Sequence, residues 1–132
     1  MIEQNFLQRH RRHAALAFYV CLVIIAILSL VPGHQRPHTG MSGRLEHAMA
    51  YAGTGLLMTL GYATARARIR GFTGVVFLSF VFETLQIWIP GRASNILDAL
   101  ASDAGLTVGV LAGWLLTRSA REATTAGGLS RK

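Results

Sequence analysis

The sequence predicts an all-α integral membrane protein: a four-helix transmembrane bundle with both termini in the cytoplasm. Three observations lead there. The composition is 52% hydrophobic and only 14% charged, with a mean hydropathy of +0.40, whereas a soluble domain carries roughly 25% charged residues. The apolar residues come in blocks of about 20, the length a helix needs to cross a bilayer core. The basic residues gather at alternate block ends, as they do in multi-pass membrane proteins.

The elements follow in order. Residues 1–13 form a basic cytoplasmic N-terminus with Arg9, Arg11 and Arg12. Residues 14–31 are the first span. A basic start before an apolar block is also the pattern of a signal peptide. This block is longer than the roughly 7–15 residues of such a core, and no A-x-A site follows it. Pro32-Gly33 stops the span, and residues 33–44 make a loop rich in Gly and Pro. Residues 45–63 are the second span, weakened by Glu46 and His47 at its start. Residues 64–71 are a basic turn carrying Arg66, Arg68 and Arg70. Residues 72–89 are the third span, broken by Pro90-Gly91. Residues 95–117 are the fourth, which completes a transmembrane domain over 14–117. Residues 118–132 read as a disordered cytoplasmic tail.

The charges fix an orientation. Arg9, Arg11, Arg12, Arg66, Arg68, Arg70, Arg118, Arg121, Arg131 and Lys132 fall on one side, against Arg36, Arg44 and Arg92 on the other. The positive-inside rule places the first set in the cytoplasm, in a cytoplasmic (inner) membrane. The net charge of +7 is therefore a topology signal. The basic residues form no patch interleaved with aromatics, which excludes a nucleic-acid surface. The single Cys21 lies in the first apolar block, where it packs; it can close no intrachain disulfide.

The chemistry concentrates in residues 83–105, where three of the six acids sit between apolar segments. An ionisable group inside a span costs about 2.5–3.5 kcal/mol on insertion scales, so such groups are paired, hydrated or used. Glu83 falls near the bilayer midplane if the third span starts at residue 72. Gln86 shares its face three residues on. Arg92 sits in a Pro-Gly-Arg turn, placed to pair with Glu83 or Asp98 or to clamp a phosphate. Ser94 and Asn95 are natural caps of the fourth helix, and Asp98 falls in its first turn, where an acid suits the helix dipole. His47 and Tyr51 share a face of the second helix at i,i+4 spacing, after Arg44. Asp103 has no partner that the sequence identifies. These residues gather toward the outer leaflet. Gly105, Gly109 and Gly113 make two overlapping G-x-x-x-G steps, a close-packing seam within the chain or between copies. His34 and His38 in a Gly/Pro loop do not amount to a metal site, and no nucleophile–base–orienter set is visible.

Two stretches resemble the VanZ-like membrane family. Arg44-Leu-Glu-His47-Ala-Met-Ala-Tyr51 is similar to that family's Asp-Lys-x-x-His-x-x-x-Tyr helix start. Glu83-Thr-Leu-Gln86, Pro90-Gly91-Arg92, Asp98 and Gly105 are similar to its E-x-x-Q, P-G-R and D-x-x-x-N-x-x-G run. Gly43 stands where the family usually has Asp, and Ser102 where it has Asn. The resemblance implies a membrane fold and a link to the cell envelope, the family being named for a protein that raises glycopeptide resistance. It implies no reaction.

The resulting expectation is a non-catalytic, cofactor-free envelope protein with an outer-leaflet polar pocket. Glu83, Gln86, Arg92, Asp98, His47 and Tyr51 would bind an anionic lipid, a lipid-linked cell-wall precursor or a lipophilic antibiotic. The rivals are a lipid-modifying enzyme using Glu83 and His47 as acid and base, a small transporter oligomerised along the glycine seam, and an assembly partner without a ligand.

Overall fold

The computed structural model describes residues 2–35 and 40–129. Arg36, His38, Arg131 and Lys132 lie outside the described residues. Among the described residues all regular structure is helical: α1 (Ile2–Leu30), α2 (Gly43–Gly61), α3 (Ala65–Leu85) and α4 (Ile96–Leu129), with 3-10 turns at Gly33–Gln35 and Gln86–Trp88.

Several boundaries differ from those expected, for local reasons. α1 already begins at Ile2, because its basic first turns contain neither Gly nor Pro; it ends two residues before Pro32. α3 begins at Ala65, so Arg66, Arg68 and Arg70 lie in its first turns and not in a turn before it. Thr64 is the cap, its hydroxyl accepting the Ala67 N–H at 3.2 Å. Ser42 caps α2 in the same way, accepting from Leu45 N–H at 3.4 Å. α4 continues as helix to Leu129, through the segment expected to be a disordered tail.

The early start of α3 moves Glu83. It lies eighteen positions past Ala65, about 27 Å along the axis at 1.5 Å per residue. It therefore sits in the last turn of α3, not near the middle of the span.

α2 and α4 form the central pair and run parallel; α1 packs against α2 and α3 against α4, each antiparallel to its neighbour. The α2–α4 contact is the most extensive in the molecule. Its basis is small residues: a Cβ added at Gly105 would meet the Ala48 carbonyl, and one at Gly109 the Ala52 carbonyl. Gly113 faces Thr59, and from the α2 side Gly55 faces Leu106. The glycine seam is thus occupied by α2 of the same chain. Phe18, Ile25, Tyr51, Met58, Val75 and Leu106 make the apolar core.

Outside that core the surface is strongly apolar. Val23 and Ile27 of α1, Phe77 of α3, and Val108 and Leu115 of α4 are exposed. Three segments are long and apolar enough to cross a membrane: Gln8–Leu30, Ala65–Trp88 and Ile96–Ala120. At about 1.5 Å per residue the shortest is ~35 Å long, more than a bilayer core of about 30 Å. A surface of this kind is that of a membrane protein. α2 is not among the three, although four spans were expected. It carries Arg44, Glu46 and His47 in its first turns, and buries Thr54 and Thr59 inside the bundle. Both threonines donate to their own helix, to the carbonyls of Ala50 and Gly55 at 2.8 and 2.9 Å. A helix that packs against two neighbours over much of its surface needs fewer apolar residues of its own.

The bundle has two distinct ends. At the basic end lie the first turns of α1, the Tyr62–Thr64 link and the last turns of α4. Tyr62 there hydrogen-bonds Tyr19 hydroxyl to hydroxyl at 2.9 Å, and Phe18 meets both rings edge-on. At the opposite end lie the α1–α2 and α3–α4 loops, with the polar residues singled out above.

Candidate functional site

The Pro-Gly-Arg turn is a clamp on α1. Gly91 has φ +74, a left-handed conformation that glycine adopts without strain. This brings the turn against Gly33, whose N–H donates to the Pro90 carbonyl at 3.1 Å. Arg92 then reaches the end of α1: its Nε donates to the Val31 carbonyl at 3.1 Å and its Nη2 to the Leu28 carbonyl. Carbonyls at a helix C-terminus have no intrahelical partner, and a cation there offsets the dipole. Arg92 thus has a structural task that the sequence did not show.

Glu83 ties α3 to α4. It is only 6% exposed. Its carboxylate accepts the Asn95 N–H, and its backbone carbonyl accepts the Ser94 hydroxyl at 2.8 Å. Asn95 caps α4 as expected, its Oδ1 accepting from Leu97 N–H at 3.0 Å. Ser94, expected to cap the same helix, instead satisfies the end of α3. Asp98 pairs with Arg44 across α2 and α4, Nε to Oδ1 at 3.5 Å. That pair is half-exposed, so it contributes little to stability.

Behind these lies a row of buried and half-buried polar groups. Ser102 donates to the Asp98 carbonyl at 2.9 Å and lies 3.4 Å from His47 Nδ1. Tyr51 is buried beside Ser102, within electrostatic range of Asp103 and Glu83. Asp103, without an assigned partner from sequence, accepts the Ser79 hydroxyl at 2.8 Å. Ser79 was missed, yet it lies four residues before Glu83, one turn along the same face of α3. Gln86 is 3% exposed and its Nε2 has no hydrogen-bond partner among the described residues.

The open feature is elsewhere. A groove of about 420 Å³ lies between α1 and α2. Ile25, Leu28, Met41, Met49 and Ala50 give it apolar walls; Ser29, Glu46, His47, Tyr51 and Arg92 give it polar points. The six expected site residues therefore divide. His47, Tyr51 and Arg92 line the groove. Glu83, Gln86 and Asp98 are not part of its lining; Glu83 joins α3 to α4, Asp98 joins α4 to α2, and Gln86 is buried without such a link. Glu46, Ser29 and Met41 were not anticipated, because only the pairing of α1 with α2 creates the groove. The proposed acid–base pair is held apart in function too: Glu83 serves the α4 N-terminus while His47 faces Ser102 and the groove. Among the described residues no group of three or more His, Cys, Asp or Glu side chains is arranged to hold a metal ion.

Fold and site together define an all-helical membrane protein with an amphipathic groove at one end. No protein-family model matches the chain, and no curated protein or solved structure matches it either.

Proposed function

We propose that this chain is a non-catalytic, VanZ-like membrane protein that holds an amphiphile in the α1–α2 groove. The single observation that carries the reading is the groove's make-up: apolar walls of acyl-chain character ending at His47, Glu46 and Arg92. An acyl chain lies against Ile25, Leu28 and Met49, and the head group meets the polar end. Arg92 is already fixed by the α1 carbonyls, so it offers an ordered guanidinium edge instead of a mobile one. Candidate ligands are an anionic lipid, a lipid-linked envelope precursor or a lipophilic antibiotic. In this reading α2 crosses the membrane inside the bundle, as a fourth span. The arginines of the basic end then place both termini in the cytoplasm and the groove at the outer leaflet of the inner membrane. Glu83, Gln86 and Asp98 act as framework, setting the α3–α4 connection from which Arg92 projects.

The test is native mass spectrometry of gently extracted protein, wild type beside Ala50→Trp. Ala50 is exposed and lines the groove, so an indole there fills the groove and leaves the helix pairing intact. The expected result is one amphiphile class on the wild type and its loss from the variant at unchanged melting temperature. Equal, unselective lipid on both proteins overturns the reading and favours a purely structural assembly partner.

A further inference from the structure

A second concave site lies at the basic end, far from the groove. Arg68 of α3 and Trp114, Thr117, Arg118 and Glu122 of α4 enclose about 270 Å³. We propose that it binds the phosphate of an anionic phospholipid head group.

Three observations converge. The first is depth. Arg68 lies in the first turn of the segment Ala65–Trp88, and Arg118 in the last turn of Ile96–Ala120. Two arginines from antiparallel helices thus meet at one membrane surface, and Trp114, one turn deeper, sits where interfacial indoles sit. Basic pockets between membrane helices at that level receive anionic head groups. The second is order. Arg68 Nε donates to the Tyr62 carbonyl at 3.0 Å. The Arg118 guanidinium lies 5.5 Å from the Trp114 ring and its Nε donates to Glu122 at 2.8 Å. Side chains oriented in advance lose less entropy on binding. The third is chemistry. Planar guanidinium forks match phosphate oxygens, and two arginines against one glutamate leave the site net positive. Glu122 is then a resident counter-ion that a phosphate must displace from Arg118.

That last point gives the site a signature that a diffuse basic surface lacks. The experiment uses the full chain in detergent, in the Ala50→Trp background so that the groove contributes nothing. Native mass spectrometry follows titration with short-chain phosphatidylglycerol and with phosphatidylcholine of equal chain length. Phosphatidylglycerol should bind selectively. Arg68→Gln with Arg118→Gln should weaken it about a hundredfold, roughly tenfold for each lost charge-assisted contact. Arg66→Gln with Arg70→Gln removes the same charge from exposed positions of the same helix and should change little. Glu122→Gln should tighten binding. If the first double variant does not fold, Arg118→Gln alone, at an exposed side chain, carries the test. The proposal fails if both double variants weaken binding equally, if Glu122→Gln weakens it, or if phosphatidylcholine binds as well. Displacement by millimolar inorganic phosphate also overturns it, assigning the site to the free ion.

Discussion

The two faces of α2 are built on opposite principles. Toward α4 it presents Ala48, Ala52, Gly55 and Thr59, and the partner presents glycines, so backbone meets backbone. Toward α1 it presents Met49 and Ala50 to Ile25, Leu28 and Ser29, and the mismatch in size leaves a groove, with Tyr51 at its inner edge. Small residues at regular spacing remove free volume, and long flexible ones beside an alanine create it. One helix thus serves as the anchor of the bundle on one side and as the wall of a binding site on the other.

The largest expected effect breaks the closed face. Gly109→Leu forces a side chain into the Ala52 carbonyl and the Leu56 N–H. It should cost more than about 3 kcal/mol, the upper range for overpacking, seen as loss of monodisperse protein on size exclusion. Ala50→Trp on the open face should stay within about 0.5 kcal/mol. Similar melting temperatures for the two variants would mean that the faces do not differ.

Next is the α3–α4 connection. Glu83→Ala strips the Asn95 N–H of its acceptor and should cost about 1–3 kcal/mol. Glu83→Gln keeps an oxygen there and should cost less than half as much in thermal unfolding. Equal losses would show that the charge matters, not the hydrogen bond, and would return Glu83 to candidacy as a functional acid. A smaller effect is expected for Arg92→Met, about 1–2 kcal/mol from the freed α1 carbonyls and the lost dipole contact. Hydrogen exchange should then rise in the last turn of α1 and at the Gly33 amide, and stay unchanged along α4.

The smallest change should have the opposite sign. Gln86→Met removes a buried amide nitrogen that lacks a partner. Leaving such a group unsatisfied costs about 1–3 kcal/mol, so the variant should melt slightly higher. A clear drop in melting temperature would show that the amide is engaged in the working protein.

Much of this molecule was legible in the chain. The apolar blocks marked four membrane-length helices, of which three are long and apolar enough to span, and Pro32, Pro90 and Gly91 marked where the first and third give way to loops. Asn95 was identified as a cap and residues 105–113 as a close-packing face. What escaped were boundaries and partners. The Arg66–Arg70 segment looked like a turn because charges interrupt the apolar pattern; its residues are nevertheless good helix formers behind a Thr64 cap. That error carried Glu83 from the end of a helix to an imagined midplane. The hold of Arg92 on α1 was not legible either, because nothing in its neighbourhood reveals the carbonyls of a helix more than sixty residues away.

The sequence by itself determined the helical class, the membrane-length segments and the local caps, because each depends on residues within about one turn of one another. Only the tertiary structure decided that α2 lies parallel against α4, that Arg44 meets Asp98 and Ser79 meets Asp103, and that the groove opens beside α1. The physical reason is that an amphipathic or glycine-lined face specifies how closely a partner can approach, not which helix that partner is. The choice falls to packing over the whole bundle, where backbone contact along the seam outweighs any single polar pair.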